Sequence, residues 1–182
     1  MRRAELAELL RSASHVTGDP EPLVLGSQSI LGGYDEDELP LPATASVEAD
    51  LAFLDDPERT KSDLVEAALG ELSEFHIQHG YYAEGVDVAL AVLPDGWRAR
   101  LLQSDGAVGL PRGALFLEKH DLAVGKLVAY REKDLAYVTA LLDEGLLDVA
   151  VLRDRVDRLA VERGEDLGRR LHKWLDHWPG AG

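Results

Sequence analysis

The alternation of apolar and polar positions predicts one short helix, then several strands, then a run of helices. Residues 3–14 have the apolar spacing of an amphipathic helix, and "PLVLGSQ" reads as an apolar strand that ends at Gly26. "SQSILGG" follows as a short helix ending at a glycine pair, and residues 34–43 form an acidic, proline-containing loop. This order indicates a sheet whose first strand runs directly into a glycine-serine turn.

The stretch "SVEADLAFL", residues 46–54, predicts a strand with two acids on one face. Alternation places Val47, Ala49 and Leu51 on one side, and Glu48 and Asp50 on the other. The two carboxylates then lie about 7 Å apart along the strand, where they repel unless water, a basic partner or a metal intervenes. A solvated edge strand and a cation site both fit this pattern.

The remaining pattern completes an α+β prediction. "DPERTKSDLVEAALGELS" predicts a helix, and "EFHIQHGYYAEG" an irregular segment. "VDVALAVL" and "WRARLLQ", joined through Asp-Gly, predict a β-hairpin, and "ALFLE" predicts a further strand. Helices are expected near 120–144, 148–163 and 165–178. We therefore expect a mixed β-sheet flanked by helices over 1–118, with a C-terminal helical region over 119–182 packed on it.

Composition indicates a globular chain without disulfide chemistry. The 182 residues are 46% hydrophobic, which suffices for one domain with a core. The absence of cysteine excludes a disulfide framework and thiolate metal ligands, and it favours a cytoplasmic location. No apolar run approaches the roughly 20 residues that a bilayer-spanning helix needs, so no membrane partner is expected.

Negative charge is concentrated in the first half of the chain. The net charge is −15, and between Ser12 and Trp97 there are 18 Asp and Glu against Arg59 and Lys61, a net −16. Nonspecific nucleic-acid binding is thereby disfavoured, because neutralising phosphates needs a basic surface. An acidic half is compatible with solubility, with a site for multivalent cations, or with a basic partner.

The order of strand, Gly-Ser turn, helix and Glu-x-Asp strand resembles the nucleotidyltransferase superfamily. The stretches "GSQSILGG", "SVEAD", "GELSEFHIQHGYY", "LPDGWRARL" and "LEKHDLAVGKLVAYREKDLAYVTALL" are similar, in the same order, to signatures of a bacterial nucleotidyltransferase-like family. The resemblance spans roughly residues 23–143. It implies a nucleotidyltransferase-like fold and a relationship to nucleotidyltransferase toxins of toxin–antitoxin and abortive-infection systems.

The resemblance also implies a set of site residues. Gly26 and Ser27 would let the backbone approach a triphosphate at a helix N-terminus. Glu48 and Asp50 would bind Mg²⁺ or Mn²⁺, with Asp87 as the third carboxylate of the metal site. These three acids would be both metal ligands and catalytic residues.

The predicted helix over 120–144 carries the candidate cations. Its apolar positions form one stripe with Arg131 in the middle, so Arg131 is expected to be partly buried against a carboxylate of the fold or a ligand. Lys126, Tyr130, Lys133 and Tyr137 share a neighbouring face. In the nucleotidyltransferase interpretation Lys126 is catalytic and binds nucleotide, Arg131 binds phosphate, and Tyr130 offers an aromatic surface to the base.

Two functions follow from this interpretation. The first is metal-dependent transfer of NMP from an NTP to an RNA or protein acceptor, as the toxin of a toxin–antitoxin pair with an antitoxin protein as partner. An RNA acceptor would use a local basic patch formed by Arg98, Arg100, Arg112, Lys119 and Lys126. The alternative is a catalytically inactive module that binds a nucleotide or a protein partner. Three departures from the family pattern are compatible either with this alternative or with an altered metal geometry: the long acidic loop before the acid pair, Glu48 where the superfamily has Asp, and an acid at Asp87, where the family does not always carry one.

Overall fold

Five short strands form one mixed β-sheet in the computed structural model, which describes residues 1–159 and 165–178. The order across the sheet is β3-β2-β1-β5-β4. Strand β1 is antiparallel to β2 and parallel to β5, β2 is parallel to β3, and β4 is antiparallel to β5. The strands are β1 (Leu23–Val24), β2 (Glu48–Ala52), β3 (Tyr82–Gly85), β4 (Leu102–Gln103) and β5 (Leu115–Phe116).

Helices surround this sheet and dominate the second half of the described chain. They are α1 (Arg3–Thr17), α2 (Leu41–Thr44), α3 (Thr60–Leu69), α4 (Glu74–His79), α5 (Lys119–Ala129), α6 (Glu132–Asp143), α7 (Val149–Asp157) and α8 (Glu165–His177). Short 3-10 helices span Ser27–Gly32, Glu36–Glu38, Val88–Leu90, Trp97–Arg100 and Ala107–Gly109. The prediction of an α+β fold with a mixed sheet and flanking helices is confirmed.

One hydrophobic core joins the sheet to the helices. The first helix contributes Leu6, Leu9, Leu10 and Ala13, spaced so that they occupy one face, and each is fully buried. The same cluster of buried side chains contains Leu51 and Phe116 from the sheet, and Leu127, Leu141 and Leu175 from α5, α6 and α8. The region before Lys119 and the helical region after it therefore share a core. Within the described ranges, no helix is long and apolar enough to cross a bilayer.

The predicted hairpin between "VDVALAVL" and "WRARLLQ" is wrong. The first segment holds the 3-10 helix Val88–Leu90, and the second holds the 3-10 helix Trp97–Arg100 before β4. Strand β4 pairs with β5 instead. The physical reason lies at Asp87, whose carboxylate accepts a hydrogen bond from the Ala89 amide at 2.7 Å and starts a turn where the sequence pattern suggests a strand.

The segment "EFHIQHGYYAEG" is regular, contrary to prediction. The Ser73 hydroxyl accepts a hydrogen bond from the His76 amide and caps α4, and Gly80 ends that helix with φ 80°. The chain then enters β3, where Ala83 and Gly85 are buried between exposed or half-buried neighbours. An alternating strand pattern was therefore present in these residues.

The long helix predicted over 120–144 is two helices. Tyr130 adopts a left-handed conformation with φ 56°, and Arg131 is extended with φ −78° and ψ 152°. These two residues therefore separate α5, which ends at Ala129, from α6, which begins at Glu132. A single 100° periodicity does not extend across this break. The helix expected near 148–163 ends at Asp157, and residues 160–163 lie outside the described residues.

Candidate active site

Strand register brings three carboxylates together at one face of the sheet. In the parallel pairing of β2 with β3, Glu48 lies opposite Tyr82 and Asp50 lies opposite Glu84. Since alternate residues share a face, all four side chains project to the same side. Glu48, Asp50 and Glu84 each offer a carboxylate oxygen, and these oxygens lie within 4.8 Å of one another. This spacing suits a shared cation.

Glu48 is oriented by a neighbouring phenol. The Tyr82 hydroxyl donates a hydrogen bond to Glu48 Oε2 at 2.8 Å. This hydrogen bond, together with burial, raises the pKa of Tyr82 well above its ordinary value. Tyr82 therefore remains a neutral donor at physiological pH and leaves the other Glu48 oxygen available to the cluster.

The cluster is electrostatically strained without a cation. Burial raises the pKa of Asp50, and the charge of Glu48 raises it further. Partial desolvation and contact with Glu48 also raise the pKa of Glu84. Three converging carboxylates are the donor set that Mg²⁺ and Mn²⁺ prefer, and a bound dication would remove the mutual repulsion. The residues present therefore fit the divalent metal expected from the sequence.

The absence of a side chain at Gly26 leaves space for the Asp50 carboxylate. A carbon at the Cβ position of Gly26 would lie 1.5 Å from Asp50 Oδ2, so only glycine fits beside this carboxylate. The Leu25 amide also donates to the Asp50 carbonyl at 3.0 Å, which ties β1 to β2 at this point. The element that follows is a six-residue 3-10 helix. The short helix predicted over "SQSILGG" is therefore present, as a 3-10 helix that begins at Ser27 and is followed by Gly33.

A polar cavity of about 400 Å³ opens over the carboxylates. Its walls come from the Ser27 turn, strands β2 and β3, and the α5–α6 junction. Charged side chains of both signs line it: Glu48, Asp50, Glu84, Lys126, Arg131, Lys133 and Asp134. The Tyr137 hydroxyl donates to the Ser27 carbonyl at 2.8 Å and joins α6 to the glycine-serine turn. The predicted site residues Ser27, Glu48, Asp50, Lys126 and Arg131 thus face one space.

Asp134 links the two predicted cations. Lys126 Nζ lies 3.2 Å from Asp134 Oδ1, and Arg131 Nε lies 2.5 Å from Asp134 Oδ2. Burial by itself would raise the pKa of Asp134, but the Arg131 hydrogen bond and the Lys126 charge outweigh it and lower the pKa. Lys126 Nζ also lies over the Tyr137 ring, 5.4 Å from its centroid. Lys126 is therefore held rigidly at the cavity wall.

Arg131 is not buried in an apolar stripe. Its side chain is 59% exposed, because the break at Tyr130 turns the backbone out of the helix before α6 begins. The pairing with Asp134 matches the structural alternative, a guanidinium held by a carboxylate. Its position on the cavity wall also matches the ligand-binding alternative.

Three predicted site residues, Gly26, Asp87 and Tyr130, do not line the polar cavity. Asp87 caps the 3-10 helix that follows it and lines a neighbouring cavity with Asp50 and Glu84, and Glu84 takes the third position in the carboxylate cluster. Tyr130 lies under the guanidinium of Arg170, whose Cζ is 4.5 Å from the ring centroid. Sequence reasoning missed Glu84 because "YYAEG" was not recognised as a strand. Its period-two spacing from Tyr82 was the available signal.

The basic patch proposed for RNA is largely committed to internal contacts. Arg100 forms two hydrogen bonds with the buried Asp121, at 2.8 and 2.9 Å. Lys119 donates to the Tyr34 hydroxyl at 2.6 Å, and Lys126 pairs with Asp134. These cations are therefore poorly placed to neutralise a phosphate backbone together.

Comparison with protein families, curated proteins and solved structures finds no match to this chain. The similarity to nucleotidyltransferases therefore stays a resemblance of sequence motifs. Any inference about function depends on the geometry of the carboxylate cluster and of the cavity above it.

Proposed function

We propose that this chain is a nucleotidyltransferase that uses Mg²⁺ or Mn²⁺ to transfer NMP from an NTP to an acceptor. The observation that carries the proposal is the convergence of Glu48, Asp50 and Glu84 at a cavity that Lys126 and Arg131 also line. A dication between acids and a polyphosphate near basic side chains is a charge arrangement suited to phosphate-transfer chemistry. The sheet order with a Gly-Ser turn beside β2 supports a nucleotidyltransferase-like fold.

In this proposal each residue has a defined task. The acceptor oxygen attacks the α-phosphorus, the bond from that phosphorus to the bridging oxygen of the β-phosphate breaks, and pyrophosphate leaves. The acceptor proton passes to a carboxylate of the cluster. The metal, when bound, lowers the negative charge at the α-phosphate. Glu48, Asp50 and Glu84 hold it, while Lys126 and Arg131 contact the departing phosphates.

A protein side chain is the better supported acceptor. The acidic first half of the chain and the pairing of Arg100 with the buried Asp121 leave little basic surface for an RNA. A toxin role with an antitoxin partner, and a cytoplasmic location, remain part of the proposal on the strength of the sequence resemblance.

One observation favours the second candidate, a nucleotide-binding module without catalysis. Asp134 pairs with both Lys126 and Arg131, so a triphosphate must compete with an internal carboxylate for these cations. A relative that has lost catalysis would tolerate such a contact. Binding and transfer must therefore be measured separately.

Calorimetric titration tests the binding step common to both candidates. ATP should bind in the presence of Mg²⁺ or Mn²⁺ and bind poorly with EDTA. Asp50→Asn should abolish the metal dependence without unfolding the chain. Equal binding of ATP to both proteins, with and without metal, would refute the metal site.

A further inference from the structure

A second cavity, apolar and about 280 Å³ in volume, adjoins the polar one. The two cavities share Lys126 and Arg131 as common wall residues. Gly26, which packs against Asp50, lines the apolar cavity as well. The two spaces therefore lie on either side of, or around, the same two side chains, and a ligand over the carboxylates has the second space beside it.

The chemistry of the second cavity differs sharply from the first. Apart from Lys126 and Arg131, the described residues that line it are aliphatic residues or glycines: Leu25, Gly26, Leu90, Ala91, Val92, Leu93, Leu117, Leu122, Gly125, Val128 and Ala129. No hydroxyl, amide or carboxylate among these lining side chains faces the space. The walls offer dispersion contacts and, apart from Lys126 and Arg131, no side chain that could hydrogen-bond to the edge of a ring.

Leu90 indicates that this cavity is open to a ligand. It is 76% exposed although it lies on the wall of an apolar space. Gly125, in the middle of α5, also lines the cavity. A carbon at its Cβ position would lie 3.5 Å from Leu93 Cδ2 and 3.8 Å from the Val92 carbonyl oxygen, which is ordinary contact. Residue 125 therefore borders the space, and a larger side chain there would enter it.

We propose that the apolar cavity binds the base of the nucleoside triphosphate without reading its hydrogen-bonding edge, so that the protein accepts all four bases. This inference rests on the proposed function, because it takes the triphosphate to lie in the polar cavity. Every base presents a flat apolar face to aliphatic walls. Strong selection among bases requires buried polar groups that a wrong base leaves unpaired, and apart from Lys126 and Arg131, which this inference assigns to the phosphates, the lining side chains supply none.

The test compares ATP, GTP, CTP and UTP with inorganic triphosphate, each titrated calorimetrically into the full chain with Mn²⁺. The wild-type protein should bind the four nucleotides within about tenfold of one another, and each more tightly than inorganic triphosphate. Gly125→Leu fills the apolar cavity. It should weaken all four nucleotides by about tenfold or more and leave inorganic triphosphate within about twofold.

Gly168→Leu is the matched control. Gly168 lies in α8, where no atom is within 4 Å of its Cβ position, so the same substitution should leave every affinity unchanged. Leu90→Ala provides a second variant that removes cavity wall from an exposed position and should therefore fold. It should weaken the nucleotides several-fold and leave inorganic triphosphate unchanged.

Four results would overturn the inference. A preference of more than about 100-fold for one base would show edge reading that the lining side chains do not explain. Unchanged nucleotide affinity in both Gly125→Leu and Leu90→Ala would locate the base elsewhere. Equal weakening of nucleotides and inorganic triphosphate by Gly125→Leu would assign the cavity to phosphate. Binding of neither ligand by the wild-type protein would refute the proposed function itself.

Discussion

Asp50 and Gly26 are in direct contact across β1 and β2: the Asp50 carboxylate occupies the space where any other residue at position 26 would carry a Cβ atom. The backbone of Gly26 is extended, with φ −87°, so glycine is required here for space and not for conformation. The contact with the Gly26 backbone restricts the position of the Asp50 carboxylate. It links the glycine-serine turn directly to the carboxylate cluster.

Gly26→Ala should therefore displace Asp50. The added methyl group forces the carboxylate to rotate, at a cost of about 1–3 kcal/mol in the free energy of unfolding. Nucleotide affinity should lose its dependence on Mg²⁺ while the circular dichroism spectrum is retained. Urea denaturation and calorimetry measure the two effects. Unchanged Mg²⁺ dependence in a folded Gly26→Ala protein would show that the contact has no bearing on the site.

Glu84→Gln and Asp87→Asn form a matched pair that separates the structure from the sequence prediction. Glu84 belongs to the carboxylate cluster, whereas Asp87 caps a 3-10 helix. Glu84→Gln should weaken Mn²⁺-dependent nucleotide binding by about tenfold or more, and Asp87→Asn should leave it within about threefold. The reverse ranking would restore Asp87 as the third ligand.

Asp50→Asn should stabilise the metal-free protein at neutral pH. Burial and the Glu48 charge raise the pKa of Asp50 above its unfolded value, so the ionised carboxylate destabilises the fold at every pH above that folded value. Removing the charge should raise the melting temperature in EDTA. Saturating Mg²⁺ should then raise the melting temperature of the wild-type protein and not that of the variant. A large loss of stability in EDTA would instead mark the carboxylate as structural.

Asp134→Asn should destabilise the protein by about 1.5–3 kcal/mol at neutral pH, because Lys126 loses a charged partner at a mostly buried position. The pKa of Asp134 in the folded protein is lowered below its ordinary value, so its contribution is fully present above that ordinary value and is lost as pH falls through the lower folded value. The difference in unfolding free energy between wild type and variant should be constant from about pH 5 to 8 and shrink below about pH 4. A difference that shrinks above pH 5 would contradict the assignment.

Local pattern was enough to predict part of this site. The alternation in "SVEADLAFL" correctly placed Glu48 and Asp50 on one face of a strand, because strand geometry depends only on neighbouring residues. Glu84 could not be assigned to the cluster in the same way, since its position opposite Asp50 comes from the register between two strands that are far apart in sequence. Because β3 was not predicted as a strand, Asp87 was predicted as the third carboxylate instead of Glu84.

Arg131 shows the second limit of sequence reasoning. Periodicity assumes one unbroken helix, and the left-handed backbone at Tyr130 cannot be read from the apolar pattern across it. The burial of Asp134 between Lys126 and Arg131 is likewise a tertiary result, because it depends on how α6 packs against α5. The choice of Asp87 instead of Glu84 and the expected burial of Arg131 are both errors about how strands and helices are arranged, not about which residues carry charge.

The central claim, transfer of the nucleotidyl group, is tested most directly by following the two ends of a labelled nucleotide. The purified protein is incubated with Mn²⁺, total cellular protein or RNA, and ATP labelled at either the α- or the γ-phosphate. Our account predicts that α-label becomes covalently attached to an acceptor, mainly in the protein fraction, that γ-label appears only in pyrophosphate, and that Asp50→Asn abolishes both signals. Attachment of γ-label, or absence of any attached label from a protein that binds ATP with Mn²⁺, would contradict nucleotidyl transfer.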